Sequence, residues 1–205
     1  MTRIRVATVD DAAACRDIYA PYVSDSAISF ELSPPTTATV RTRLSDTLET
    51  YPWLVCEHDG AVVGYAYAHE FRSREAYQWC VESSVYVDDA HQRAGVGRGL
   101  YESLFAVLRR QGFLDVYAGI TLPNEPSVSA HEAFGFQRVG TYPDAGYKAG
   151  AWHDVSLWHR SLDTHENPPE PPTPFAEMRE GSRLREAVSA GEGTISLGAA
   201  DEDGR

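Results

Sequence analysis

The chain has 205 residues, enough for one sizeable core, and its 42% hydrophobic and 23% charged residues exclude collagenous and wholly disordered classes. Eighteen basic against thirty acidic side chains leave a formal charge of −12, which repels polyphosphate backbones, so no nucleic-acid partner is expected. Cys15, Cys56 and Cys80 form no C-x-x-C pair, the start lacks the apolar core of a signal peptide, and no apolar run reaches membrane-spanning length. A soluble, cytoplasmic protein with no disulfide framework, no metal and no membrane association is expected.

Residues 4–7 read as a short strand, after which Thr8 or Asp10 caps a helix with Ala14, Ile18 and Tyr22 on one face. Pro34-Pro35 interrupts the chain before a second amphipathic helix, marked by Val40, Leu44 and Leu48 and closed by Pro52. Runs 53–58 and 61–68 flank Asp59-Gly60, a pair that tolerates the positive φ angles of a two-residue hairpin turn. The run 78–87 alternates, with Val81, Val85 and Val87 on one face and Glu82 and Tyr86 on the other, so this strand carries one isolated carboxylate. A glycine-containing loop then leads to a helix with Val96, Leu100, Leu104 and Leu108 on one face, stopped by Gly112. Another strand covers 114–120, a short helix ends near Phe134, and two closing strands cover 136–140 and 152–162. Five prolines between His165 and Pro174 predict a domain over 1–162. They leave 163–205 as an acidic, largely disordered tail with a short helix near 175–188.

Gly95 and Gly97 allow backbone to approach a ligand closely, and the free N–H groups and dipole of the helix that follows suit a pyrophosphate. The loop alone is compatible with a plain glycine turn, because it lacks the Lys-Ser/Thr of a P-loop and the G-x-G-x-x-G of a dinucleotide fold. Its context is more specific. Q-R-A-G-V-G (92–97) follows a strand, opens an amphipathic helix, and precedes Asn124, Ser127, His131 and Gly135-Phe136 by one further strand. In these features the chain resembles the GNAT superfamily of N-acetyltransferases, whose acetyl-CoA signature is Q/R-x-x-G-x-G/A; many members have tyrosine where His131 stands here. The likeness narrows to the phosphinothricin N-acetyltransferase group through Y-P-W-L-V (51–55), A-Y-x-W-x-V-E-S-x-V-Y-V (76–87), L-P-N-x-P-S-V (122–128) and A-G-Y/F-K-x-G-x-W-H-D-V (145–155).

The resemblance implies an α/β fold built on an α+β mixed sheet: six or seven strands, splayed between the fourth and fifth, with helices on both faces. It implies acetyl-CoA as co-substrate in that splay. The pantetheine would pair with the backbone of Val85, Tyr86 and Val87, and the pyrophosphate would meet Gln92, Arg93, Ala94, Gly95, Val96, Gly97 and Arg98, with Asn124 reaching in from the far side. The same likeness implies transfer of acetyl to the α-amino group of a small amino-acid analogue of the phosphinothricin or methionine sulfoximine type. It also implies a homodimer through the hairpin bearing Tyr147, Lys148 and Trp152.

An α-ammonium group must lose a proton before it can attack a thioester, so a base is required. Glu82, which matches the group's catalytic glutamate, is the candidate. CoA leaves as a thiolate that a nearby donor can protonate, and the resemblance implies that His131 either does this from the position of the superfamily's tyrosine or relays the amine's proton together with Glu82. Arg72 and Arg74, just before Tyr77, are candidates for a bidentate hold on an acceptor carboxylate; the resemblance favours Arg74 and Tyr77 and implies that Phe30 walls the pocket. Two other kinds of function stay open at this point: a protein or peptide N-acetyltransferase, which needs an open groove, and a non-catalytic acyl-CoA-sensing module.

Overall fold

The computed structural model describes residues 1–178 and 181–198. β1 (Thr2–Val6) leads through a short turn into α1 (Ala12–Ser24). The joint is held by Asp11, whose carboxylate accepts from Arg5 Nη1 and Nη2 at 2.8 Å each and from the Thr8 N–H at 2.8 Å. Burial works to raise this carboxyl's pKa, but those donors hold it below its ordinary value. α2 (Thr37–Thr50) is capped by Thr36 Oγ1, which accepts from the Thr39 N–H at 3.1 Å. β2 (Trp53–His58) and β3 (Ala61–Glu70) close over Asp59-Gly60 with φ angles of 47° and 84°, as the turn residues predict. Next come β4 (Cys80–Val87), α3 (Val96–Gln111), β5 (Asp115–Thr121), α4 (Glu125–Ala133), β6 (Gln137–Lys148) and β7 (Ala151–Ser161).

The seven strands form one sheet in the order β1-β2-β3-β4-β5-β7-β6, antiparallel throughout except for the β4–β5 pair. Strand alternation splits the core. Trp53 and Val55 of β2 pack with Cys15 and Ile18 of α1 and Val40 and Leu44 of α2, while Leu54 and Cys56 face Leu100, Leu104 and Leu108 of α3. Helices therefore cover both faces, as expected of the fold. Among the described residues no helix is long and apolar enough to cross a membrane.

Three segments differ from the sequence expectations. β4 starts at Cys80 because residues 75–77 form a 3-10 turn. β6 runs to Lys148 rather than stopping at Gly140. It is an edge strand in which Pro143 need not donate, and irregular pairing at 138–140 and 142–146 absorbs the turn-forming residues. The strand ends with Lys148, which is only 9% exposed and donates to the Val23 and Ser29 carbonyls at 2.6 Å each, pinning the α1–α2 connection to the sheet.

The third difference is the tail. Its described part does not float in solvent but folds back along α3: Phe175, Ala187 and Val188 are buried, and α5 (Ser182–Ser189) packs on α3. The proline-rich stretch cannot bond within itself, so the domain satisfies it. Trp79 Nε1 donates to the Glu170 carbonyl at 2.8 Å, and Gln111 Nε2 donates to the Thr173 carbonyl at 2.9 Å. His165 and His159 each place Nε2 2.7 Å from an oxygen of Asp115. Composition misled here because the apolar residues of the tail are few and scattered, so its average is polar although Phe175, Ala187 and Val188 are buried and Met178, Leu184, Ile195 and Leu197 pack against the core. Residues 179–180 of the expected helix and 199–205 of the expected tail lie outside the described residues. Phe175→Ala is expected to lower unfolding free energy by about 3 kcal/mol in urea titration. A change within about 0.5 kcal/mol, the usual surface range, would return the tail to the status of a solvated appendage.

Candidate active site

β4 and β5 pair only at Cys80–Asp115, Val81–Val116 and Glu82–Tyr117. Beyond that rung β5 stays with β7, and residues 83–87 of β4 lose their neighbour on that side. The Asp88 N–H bonds the Val63 carbonyl at 3.0 Å, which makes Gly64–Val87 a non-hydrogen-bonded rung of the β3–β4 ladder. Val87 and Val85 therefore turn their N–H and C=O into the gap. Tyr86 spends its backbone groups on Tyr65, which corrects the expectation that it offers them to a ligand; its ring packs edge-on against Tyr19 and Tyr22. The Tyr22 hydroxyl occupies the open edge, donating to the Val87 carbonyl at 2.6 Å and accepting from the Val87 N–H at 3.4 Å.

The gap continues into a groove of about 470 Å³ whose walls include Val85, Val87, Gln92, Arg93, Gly95, Val96, Gly97, Arg98, Asn124 and His131. Arg93 and Gly95 both have positive φ, 61° and 83°, a backbone arrangement that converges N–H groups on an anion. The first bond of α3 runs from the Gly99 N–H to the Gly95 carbonyl, so the N–H groups of Val96, Gly97 and Arg98 have no partner within the helix. A Cβ on Gly97 would lie 3.7 Å from Val87 and 4.0 Å from Phe134, so this glycine faces the groove. Gly95 lines the groove as well, but the need for glycine there comes from its left-handed φ and from the Thr194 carbonyl behind it. Ala94 points backward, its carbonyl accepting from the Ser196 N–H at 2.8 Å, and does not line the groove. Asn124 caps α4 by accepting from the Ser127 N–H at 3.2 Å. Open strand edge, converging amides and the cations Arg93 and Arg98 fit an acyl-CoA.

Glu82 sits on the last paired rung and projects to the α1/α2 face, opposite Val81 and Ser83. A Cβ on Gly119 of β5 would lie 3.5 Å from its Oε1, so the carboxylate hangs over a position kept clear by glycine. It has no hydrogen-bond or ion-pair partner among the described residues. His131 lies elsewhere, 6% exposed. Its Nδ1 faces the Ser127 carbonyl at 2.8 Å and must carry the proton, which leaves Nε2 to accept from the Tyr101 hydroxyl at 3.2 Å. Burial pushes the imidazole below its ordinary pKa of 6.5, opposed by the Ser127 carbonyl, so the ring is neutral at pH 7. Glu82 and His131 do not touch. Between them stand Ser83, whose Oγ is 3.4 Å from the Tyr101 hydroxyl, and the fully buried Tyr101 itself. Both were missed in the sequence, where the only signal was a polar group at an inward position.

Arg72 lies over Phe71 at 5.1 Å and Tyr77 at 5.6 Å, and Phe71 stacks at 4.2 Å on Tyr117, the rung partner of Glu82. Arg72, Arg74 and Tyr77 share a depression of about 290 Å³ with Pro172 and Pro174 of the tail. Arg74 has no anionic partner among the described residues. Phe30 is not brought to them: it covers Gly146, with its ring 6.4 Å from that of His153. A further cavity of about 390 Å³ under α2 is lined by Tyr19, Arg43, Tyr67 and His69, the last being the cross-strand neighbour of Glu82. Its cation is committed, because Arg43 bonds Glu31 at 2.6 Å. Among the described residues no cluster of three or more His, Cys, Asp or Glu could hold a metal.

The family described as acetyltransferase (GNAT) domain matches residues 4–157. A phosphinothricin N-acetyltransferase of Streptomyces viridochromogenes is 45% identical over 85% of this chain and 95% of its own. An L-methionine sulfoximine/L-methionine sulfone acetyltransferase of Salmonella typhimurium is 40% identical over 58% of this chain and 69% of its own. The crystal structure of a GNAT superfamily phosphinothricin acetyltransferase from Sinorhizobium meliloti in complex with acetyl-CoA is 31% identical. It superposes with a TM-score of 0.77 over 83% of this chain and 92% of that one.

The neutral His131 makes a pH prediction. Below pH 6.5 the unfolded chain binds a proton that the buried ring refuses, so stability falls as pH drops from there toward the folded value, by at most about 1.4 kcal/mol per pH unit. His131→Asn should lose less unfolding free energy than the parent between pH 7 and pH 5.5. Equal losses in urea titrations of the two would show that the ring is not held neutral.

Proposed function

Since the chain belongs to the GNAT acetyltransferase family, we propose that this N-acetyltransferase moves the acetyl group of acetyl-CoA to the α-amino group of a small amino-acid analogue. The class is that of the phosphinothricin and methionine sulfoximine acceptors for which its relatives are named. The observation that carries this reading is Glu82: an unpartnered carboxylate at the fork of β4 and β5, over the clear position at Gly119.

Acetyl-CoA, when bound, supplies an activated thioester carbonyl. Val85 and Val87 offer the strand edge for its pantetheine, a reading supported by the Tyr22 hydroxyl, which both donates to and accepts from Val87 there. The amides of Val96, Gly97 and Arg98 and the cations Arg93 and Arg98 hold the pyrophosphate, with Asn124 opposite. Glu82 accepts the proton of the acceptor's ammonium group and so generates the nucleophile. Arg74, free of anionic partners, and Arg72 hold the acceptor's carboxylate beside Tyr77. Phe30 has no part in that pocket. His131 is better suited to positioning than to proton donation, since its N–H is spent on Ser127 and its other nitrogen on Tyr101. It lines the groove itself and bonds the Tyr101 hydroxyl in the core behind it.

The β6–β7 hairpin carries Tyr147 and Trp152, 58% and 63% exposed and 5.4 Å apart, a pair of large rings suited to a homodimer contact. The three cysteines are free thiols, which suits a reducing cytoplasm.

The decisive experiment is release of free thiol from acetyl-CoA with phosphinothricin, methionine sulfoximine, methionine sulfone, the standard amino acids and short N-terminal peptides. Turnover with the analogues and not with peptides is expected; peptides as the better acceptors would overturn the substrate class. With the best acceptor, Glu82→Gln is expected to lower turnover roughly 10²-fold, and turnover near the parent's at saturating substrate would remove Glu82 as the base. Light scattering should return a dimer that Trp152→Asp converts to monomer; a monomeric parent would sink the hairpin contact.

A further inference from the structure

The glycine loop is flanked on two sides. One side is the groove; the other is the chain's own C-terminal segment. A Cβ on Gly95 would collide with the Thr194 carbonyl, and one on Gly99 would lie 2.7 Å from the Gly191 carbonyl and 2.9 Å from Ile195 Cγ1. In the opposite direction, a Cβ on Gly191 would run into the backbone of Gly99. Directional bonds set the register of the contact. The Ser196 N–H donates to the Ala94 carbonyl at 2.8 Å, the Gly191 N–H to Ser103 Oγ at 3.0 Å, and Glu192 Oε1 accepts from the Ile4 N–H at 2.7 Å.

The glycines of the loop and helix thus divide by face. Gly95 and Gly99 are four residues apart and share a side of α3, the side of the tail. Gly97, halfway between, looks the other way into the groove. The loop and helix residues touched by 191–196, which are Ala94, Gly95, Gly99 and Ser103, bracket Val96, Gly97 and Arg98, whose N–H groups have no partner within the helix. Next to the residues so held, Arg93 is a non-glycine residue at a φ of 61°, an uncommon conformation that costs energy, and the Ser196 bond falls on the following residue, Ala94.

We propose that residues 191–196 are a positioning element of the acyl-CoA site. They clamp the loop from behind in the shape that converges its amides on the groove, so cofactor affinity depends on a segment outside the 4–157 family match. A loop released from this clamp must be ordered when the ligand binds, and that ordering is subtracted from affinity. The inference rests on the reading of the groove as the acetyl-CoA site.

Two variants of the full chain test it: Gly191→Val, whose side chain drives the segment off Gly99, and Ser196→Pro, which deletes the N–H bonded to Ala94. Both are expected to raise the Kd of acetyl-CoA by calorimetry, and its KM, about tenfold, which corresponds to about 1.4 kcal/mol. Turnover at saturating acetyl-CoA and the KM of the acceptor should stay within about twofold of the parent's, a split that general destabilisation would not produce. Amide hydrogen exchange at residues 95–99 should quicken in both variants. Unchanged Kd in whichever variant folds, with exchange at 191–196 quickened, overturns the inference. A parent that binds no acetyl-CoA overturns the groove reading and this inference with it, whereas a parent that binds and variants that bind equally well overturn this inference alone.

Discussion

The parting of β4 from β5 after the Glu82–Tyr117 rung is the constraint on which the rest depends. Two parallel strands cannot be joined by a hairpin, so the chain must leave β4, cross the sheet as a helix and return as β5. That requirement delivers the amino end of α3 to the end of β4, beside the opening. Because the strands separate there, polar backbone is exposed inside a folded chain, and such groups need partners. The Tyr22 hydroxyl meets the need at Val87. A helix end with unpaired N–H groups, an unfinished strand edge and a carboxylate thus lie together for one topological reason.

α3 has to satisfy two surfaces at once. Its apolar stripe of Leu100, Leu104 and Leu108 packs on the sheet, while its first turns lie between groove and tail. Small residues at 95, 97 and 99 are the means, since any side chain at 95 or 99 would separate helix from tail and one at 97 would enter the groove. Tyr101 follows directly, fully buried, and links the helix to His131 and Ser83. A short stretch of one helix therefore bears on the groove, the tail and the polar contacts near the catalytic candidates.

Much of this was legible in the sequence because it is local. The hairpin at Asp59-Gly60, the periodic leucines of α3 and the alternation that sets Glu82 apart from Val81 are short-range patterns, and the structure keeps each of them. What was hidden is long-range. Nothing near Gly95 announces that Thr194 will press on it, and nothing near Glu170 shows that Trp79 will bond its carbonyl. Tyr86 illustrates a subtler limit, since facing the right strand is not enough when the ladder phase turns its amide toward Tyr65. His131 was read by position alone, and only its neighbours Ser127 and Tyr101 reveal where its proton sits.

Lys148 is the chain's single lysine, and it is buried with its ammonium between two carbonyls. An enzyme that handles a reactive thioester consequently displays no lysine side chain of its own to that reagent. Stray acylation, which would neutralise surface charge and compete with the true acceptor, has no lysine on the surface to attack. The arginines that fill the basic positions instead keep their charge, so the surface basic side chains are not acylation targets of the lysine kind.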